Sequence, residues 1–160
     1  MYDSRTVPAS PRDSSFQDLV ELLEALDGVE QDPRHHPEGD ALYHSLQVYQ
    51  HALRDGAEPA LLAAALFHDV GKAVAGRDHD RVGAELTEGL PDRTRWCIAH
   101  HLDLLRNPRA TRRRWAGMPQ IVDLTRLRRW DLAGRSPRAR VCSPDQAVAH
   151  VLEALHGDRS

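Results

Sequence analysis

The sequence predicts an all-α protein built as a single-domain helical bundle. A chain of 160 residues suits one domain and is long enough to bury a hydrophobic core. Hydrophobic residues make up 41% of the chain and aromatic residues only 5%. The apolar residues are mostly Leu, Ala and Val, of which Leu and Ala favour helix. They recur at the spacing of a helix face, and the sequence has no strand-like alternation, internal repeat or domain linker.

Most of the predicted helices have a start or stop signal. Apolar residues from Phe16 to Leu26 share one helix face, and Gly28 ends that helix. Asp40 is a suitable N-cap for the second helix, which ends near Gly56. The remaining predicted helices, several opened by proline, span about 60–70, 79–90, 92–106, 119–133 and 144–155, with a short basic helix after residue 108.

The predicted domain spans residues 15–157. Residues 1–14 are polar, contain two prolines and lack the apolar stretch of a signal peptide, so we expect a disordered tail. No apolar run approaches the roughly 18–20 residues that cross a bilayer. Cys97 and Cys142 match neither a disulfide framework nor a zinc motif. We therefore expect reduced thiols in a cytoplasmic protein that has no membrane partner.

The charge is unevenly distributed around a net value of −3. Residues 1–105 carry 9 basic and 19 acidic side chains, a balance of −10. Residues 106–140 carry 11 arginines against Asp123 and Asp131, a balance of +9. Guanidinium groups bind phosphate, but a run of charge more often marks a solvated helix face. Lys72 is the only lysine among 21 basic residues.

One pair of histidine and aspartate residues has an unusual context. Four of the ten histidines, His35, His51, His150 and His156, are expected to be ordinary surface or core residues. His68 and Asp69 differ because they end the apolar run Leu61–Phe67. A buried imidazole and carboxylate are costly unless they are paired or bind a metal. Nitrogen and oxygen donors together suit zinc, iron, manganese, cobalt or nickel.

Five sequence elements, taken in order, resemble the HD superfamily, which is metal-dependent and mostly phosphohydrolase. The residues from His68 to Lys72 match its H-D-x-G-K signature. The stretch from His36 to His44 is similar to the H-P-E-G-D-x-x-x-H segment of HD domains attached to CCA-adding tRNA nucleotidyltransferases. The other three elements are the H-x-x-x-G-A stretch after His79, the histidine pair His100-His101, and Asp131.

The resemblance implies an HD-type fold, a ligand set and two catalytic residues. The first metal would be bound by His44, His68, Asp69 and Asp131. A second would be bound by His79 and either His100 or His101, with Asp69 bridging; helical phase after Cys97 favours His100. Asp69 and Lys72 would act in catalysis, with Lys72 contacting a phosphate or supporting the nucleophile.

These residues predict a phosphohydrolase that acts on a small phosphorylated substrate, either a monoester or a diester. Two divalent ions can activate a water and bind both the attacking and the leaving oxygens. Lys72, Arg128 and Arg129 are candidates for binding the phosphate. The resemblance leaves the choice among manganese, iron, cobalt, nickel and zinc open.

Two other functions remain open. Some HD proteins are di-iron oxygenases, and the stretch from Leu127 to Asp131 resembles that branch, although Leu132 replaces its second aspartate. A non-catalytic regulatory domain is the other alternative, against which the complete ligand set argues. A nucleic-acid partner is not expected, because only Trp115 and Trp130 interrupt the arginine-rich stretch as aromatic residues for base stacking.

Overall fold

The computed structural model describes residues 11–158, which form α-helices joined by short turns. In chain order the helices are α1 (Pro11–Glu24), α2 (Ala41–Arg54), α3 (Pro59–Phe67), α4 (His79–Leu86), α5 (Asp92–His100), α6 (Asp103–Arg106), α7 (Pro108–Arg114), α8 (Pro119–Ala133) and α9 (Pro144–Gly157). A 3-10 helix, Val70–Ala73, follows α3. Within residues 11–158 the one strand-like feature is an isolated bridge between Glu30 and Asp40. The all-α prediction is confirmed.

Helix α3 is the centre of the bundle. Its residues from Leu61 to Phe67 are all buried, in agreement with an apolar sequence that has no polar face. Helices α2, α5, α8 and α9 pack around it, and α1 packs on α9. A helix surrounded in this way places whatever follows its last residue inside the protein. His68 and Asp69 occupy that position.

Local sequence signals mark where α2 and α9 start. The Asp40 carboxylate accepts a hydrogen bond from the Tyr43 backbone N–H and caps α2. Ser143 and Gln146 form a reciprocal capping box at the start of α9. Gly39 precedes the α2 cap with a φ of 101°, a conformation that glycine adopts without strain.

The structure differs from the sequence-based expectation in one region that matters for the site. The helix predicted over residues 92–106 is interrupted: α5 ends at His100, and α6 begins at Asp103. In addition, residues Val70–Ala73 form the 3-10 helix, where the end of the third helix and a loop were expected.

The ends of the chain are described only in part. Residues 1–10 of the expected tail lie outside the described residues, and α1 begins at Pro11. Of the helices within residues 11–158, none combines the length and apolar character needed to cross a bilayer.

Candidate metal centre

The end of α3 brings His68 and Asp69 into the core. His68 is fully buried and Asp69 is 3% exposed. The chain then turns through the 3-10 helix, and Gly71 packs against the backbone of α4. A Cβ on Gly71 would collide with the backbone oxygen of His79 and would lie 2.8 Å from the Gly83 nitrogen. Glycine at this position therefore lets the segment carrying Asp69 lie directly against the start of α4.

Helices α2 and α8 each add one ligand candidate to this pair. His44 from α2 is fully buried, and its Nε2 lies 2.8 Å from Asp131 Oδ1 of α8. The same Nε2 lies 3.7 Å from Asp69 Oδ2. His68 Nε2 lies 3.3 Å from Asp69 Oδ2 and 3.6 Å from Asp131 Oδ1. The four side chains predicted to bind the first metal thus converge on one point.

Two further histidines face the other oxygen of Asp69. His79 Nε2 lies 3.4 Å and His101 Nε2 lies 3.3 Å from Asp69 Oδ1. Each of the two sets, one with His44 and His68 and one with His79 and His101, has ligand atoms within 4.8 Å of one another. Asp69 belongs to both sets and directs one oxygen to each.

The other ring nitrogen of each histidine is fixed by the backbone. The Nδ1–H groups of His68, His79 and His101 donate to carbonyl oxygens three residues earlier, at 2.7 to 2.9 Å. His44 Nδ1–H donates to the carbonyl of Gly134 at 2.9 Å. Because a carbonyl only accepts, the proton of a neutral ring lies on Nδ1, and the Nε2 lone pair is left free to bind a metal.

Three of these Nε2 atoms are buried without a hydrogen-bond partner. They belong to His68, His79 and His101, and all three face the carboxylate of Asp69. A lone pair aimed at a carboxylate repels it, and a cation between the two atoms, either a proton on the ring nitrogen or a metal ion, removes the repulsion. Imidazole nitrogen and carboxylate oxygen are the donors that zinc, iron, manganese, cobalt and nickel accept. The residues present therefore fit a divalent metal.

The pKa shifts of His68 and Asp69 also indicate that positive charge is favourable in this cluster. Burial lowers the pKa of His68, but the neighbouring carboxylates of Asp69 and Asp131 outweigh it and raise that pKa to about 10. Burial raises the pKa of Asp69, but the opposite charges of His68 and Lys72 bring it well below its usual range. The carboxylates therefore stay ionised, and a proton on His68 occupies the position that a metal would take.

The preference for His100 over His101 as a ligand is corrected. The ring of His100 stacks on Trp96 at 4.4 Å between centroids, and its Nδ1 lies 2.7 Å from Asp103 Oδ2. Its side chain is 35% exposed, whereas that of His101 is 2% exposed. The position of His101 could not be inferred from helical periodicity, because α5 ends at His100. The turn that follows directs His101 inward.

Lys72 lies beside the cluster, as predicted, at the edge of a cavity of about 490 Å³. Its Nζ lies 3.0 Å from Asp69 Oδ2 and donates a hydrogen bond to Gln31 Oε1 at 2.7 Å. His79 and Arg128 also line this cavity, so the cavity borders the cluster at His79.

Arg128 and Arg129, which precede Asp131 on α8, lie in different surroundings. Arg128 Nη1 lies 3.2 Å from Asp131 Oδ2, and Arg128 lines the cavity. Arg129 instead pairs with Asp55 at 2.9 Å, with its side chain 64% exposed. Arg129, which was expected to bind substrate, is therefore not among the residues that line the cavity, because consecutive residues on α8 point in different directions.

Three residues near the site were not predicted to have a role. Glu38 Oε1 lies 2.9 Å from His44 Nδ1 and 2.8 Å from His36 Nδ1, so it supports the ring orientation of His44. His36 and Arg135 line the cavity. His36 and Glu38 lie within the H-P-E-G-D segment, so this segment of the sequence could have indicated that they lie near the site. No local pattern marks Arg135.

Comparison with known proteins identifies the family of this chain. The family model for the HD domain matches residues 41–143. The chain is similar to the Multifunctional CCA protein of Methylococcus capsulatus, with 44% identity over 84 residues, 48% of this chain and 20% of that protein. The protein of the same name in Hahella chejuensis is 35% identical over 88 residues, 51% of this chain and 21% of that protein. The chain spans about one fifth of the length of these relatives. It belongs to the HD domain family, a superfamily of metal-dependent phosphohydrolases.

Proposed function

We propose that this protein hydrolyses small phosphate esters with two divalent ions. The observation that carries the proposal is the set of three buried, unpartnered Nε2 atoms around Asp69. The first ion would be held by His44, His68, Asp69 and Asp131. The second would be held by His79, His101 and the other oxygen of Asp69.

Two such ions, when bound, lower the pKa of a water and neutralise charge that develops on a phosphoryl group. The protein's own contribution is to keep the ligands rigid. The backbone carbonyls that accept from the four Nδ1–H groups orient the rings, and burial excludes bulk water from the Asp69 carboxylate. Manganese, iron, cobalt, nickel and zinc all suit these donors.

The cations at the cavity edge are placed to bind the phosphate. Lys72 Nζ, 3.0 Å from Asp69, donates to oxygens of a phosphate bound at the centre. Arg128, held by Asp131 at 3.2 Å, approaches from the α8 side. Both lie in a cavity large enough for a small organic ester. Donors fixed before the substrate arrives stabilise transition-state charge without the cost of reorientation.

We propose a small molecule as the substrate, in preference to a nucleic acid. The relatives are named for CCA, but this chain matches only about one fifth of their length. The basic helix α7, with Arg112, Arg113 and Arg114 exposed, supplies none of the side chains that line the cavity.

The test is an assay of phosphate-ester hydrolysis after reconstitution with each of the five metals. The panel contains p-nitrophenyl phosphate, bis(p-nitrophenyl) phosphate and nucleoside monophosphates. We expect metal-dependent release of phosphate or nitrophenol, and loss of both metal and turnover in Asp69→Ala. An active Asp69→Ala protein would remove the proposal.

The same preparation separates the two alternatives. Bound iron with oxygen consumption, and no ester hydrolysis, would point to an oxygenase. Retained metal without turnover of any ester and without oxygen uptake would point to a regulatory binding domain.

A further inference from the structure

The cavity beside the metal centre contains three lysine or arginine side chains, and one of them has no partner. Lys72 lies against Asp69 and Gln31, and Arg128 lies against Asp131. Arg135 forms no hydrogen bond or ion pair within residues 11–158, and its Nε atom is buried. A buried guanidinium N–H without an acceptor is costly. The position therefore favours an anionic ligand.

The backbone at Arg135 is held firmly against α2. The carbonyl of Gly134, the preceding residue, accepts the Nδ1–H of His44 at 2.9 Å. Gln47, which is 1% exposed, donates from Nε2 to the Ser136 carbonyl at 2.7 Å and accepts from the Ser136 N–H at 3.0 Å. Arg135 thus lies between two residues fixed to the helix that carries a metal-ligand candidate. Its guanidinium is presented from a rigid turn.

The positions of Lys72, Arg128 and Arg135 indicate that they bind different parts of a ligand. Lys72 and Arg128 contact the carboxylates of the metal centre, so both are close enough to bind a phosphate located there. Arg135 lines the same cavity but forms no ion pair with Asp69 or Asp131, so its guanidinium is available to a different part of a ligand. The cavity of about 490 Å³ has room for more than one phosphate group.

We infer that Arg135 binds a second phosphate group of the substrate, away from the ester that is hydrolysed. A guanidinium suits this task because its paired donors match the oxygens of a phosphate. The substrate class is then a small organic molecule that carries two phosphate groups. This inference rests on the proposed function, since it assumes that the first phosphate lies at the metal centre.

The test compares two sugar phosphates as probes. Isothermal titration calorimetry measures the affinity of the Mn²⁺-loaded protein for fructose 1,6-bisphosphate and for fructose 6-phosphate. We expect the bisphosphate to bind on the order of 10- to 100-fold more tightly, as charge-assisted hydrogen bonds to one guanidinium would give.

Matched variants connect the preference to one side chain. Arg135→Met, which keeps the length and removes the charge, should abolish most of the preference for the bisphosphate, and Arg135→Lys should restore part of it. Arg138→Met is the control, because Arg138 is exposed, lies in the same segment and is not among the residues that line the cavity. It should keep the wild-type preference. Thermal melts check that each variant folds.

Equal affinity of the wild-type protein for the two probes would overturn the inference, as would an unchanged preference in Arg135→Met. Failure of the proposed function is a separate result, because binding is measured without turnover. Hydrolysis of esters with no preference for the bisphosphate would remove only the inference. Binding of the bisphosphate through Arg135 with no hydrolysis of any ester would remove the proposed function and leave Arg135 only as a phosphate-binding residue.

Discussion

Replacing Gly71 by alanine should damage both the fold and the second half of the metal centre. The added Cβ would collide with the backbone oxygen of His79 and would lie 2.8 Å from both the His79 carbonyl carbon and the Gly83 nitrogen. These obstacles are backbone atoms, so no side-chain rotation relieves the contact. The 3-10 helix and α4 would have to separate, and His79 would move away from Asp69.

The expected loss follows from the cost of overpacking. Such insertions destabilise by typically 1–3 kcal/mol, and rigid backbone neighbours favour the upper half of that range. A loss of about 2 kcal/mol corresponds to a fall in Tm of roughly 4–8 °C for a domain of this size. Because His79 is displaced, metal bound per chain should also fall.

The assay is urea unfolding followed by circular dichroism, with metal content measured on the same preparations. Gly89→Ala is the control, since a Cβ at Gly89 would meet nothing within 4 Å and its backbone is not in the left-handed region. We expect Gly89→Ala to match the wild type. The reasoning is refuted if Gly71→Ala unfolds at the wild-type urea concentration and binds as much metal.

Three further predictions concern the charged groups of the centre. Lys72→Ala should keep the metal and lower turnover by an order of 10²-fold, and unchanged turnover would show that Lys72 is only structural. Arg128→Ala should raise KM for p-nitrophenyl phosphate about tenfold, whereas Arg129→Ala should leave it unchanged; equal effects would contradict the geometry. Without metal, His68 should be protonated at pH 8, because its pKa is raised to about 10. Metal binding should release that proton, so metal affinity should rise with pH up to about pH 10. Calorimetry in two buffers of different ionisation enthalpy checks this, and heats that do not depend on the buffer would count against it.

Much of the fold could be predicted from the sequence because its signals are local. Asp40 caps α2 and Pro59 lies in the first turn of α3, both as expected. The uniformly apolar run from Leu61 to Phe67 is central and buried. Capping, proline placement and apolar periodicity act over a few residues, so they are visible without tertiary contacts.

The metal centre was predictable only in outline. The pair His68-Asp69 could be identified because it directly follows the buried helix. The choice between His100 and His101 could not be made, since it depends on where α5 ends. That end carries no proline or glycine, and helix boundaries are the least predictable feature of a sequence.

The cationic side chains show the same limit. Arg128 and Arg129 are adjacent in sequence, yet one lies in the cavity and the other pairs with Asp55. Arg135 reaches the cavity because Gln47 and His44 hold the turn around it, and those hydrogen bonds join residues about 90 positions apart. Contacts between residues so far apart in sequence cannot be predicted from a local sequence pattern.

The most direct test of a two-metal centre is the metal content of the purified protein, measured by elemental analysis. His101→Ala and His100→Ala are compared with the wild type, because only His101 of these two adjacent histidines faces Asp69. The account predicts close to two metals per chain in the wild type and in His100→Ala, and close to one in His101→Ala. Metal lost from His100→Ala but kept in His101→Ala would contradict it, as would no metal in any preparation after reconstitution with manganese, iron, cobalt, nickel or zinc.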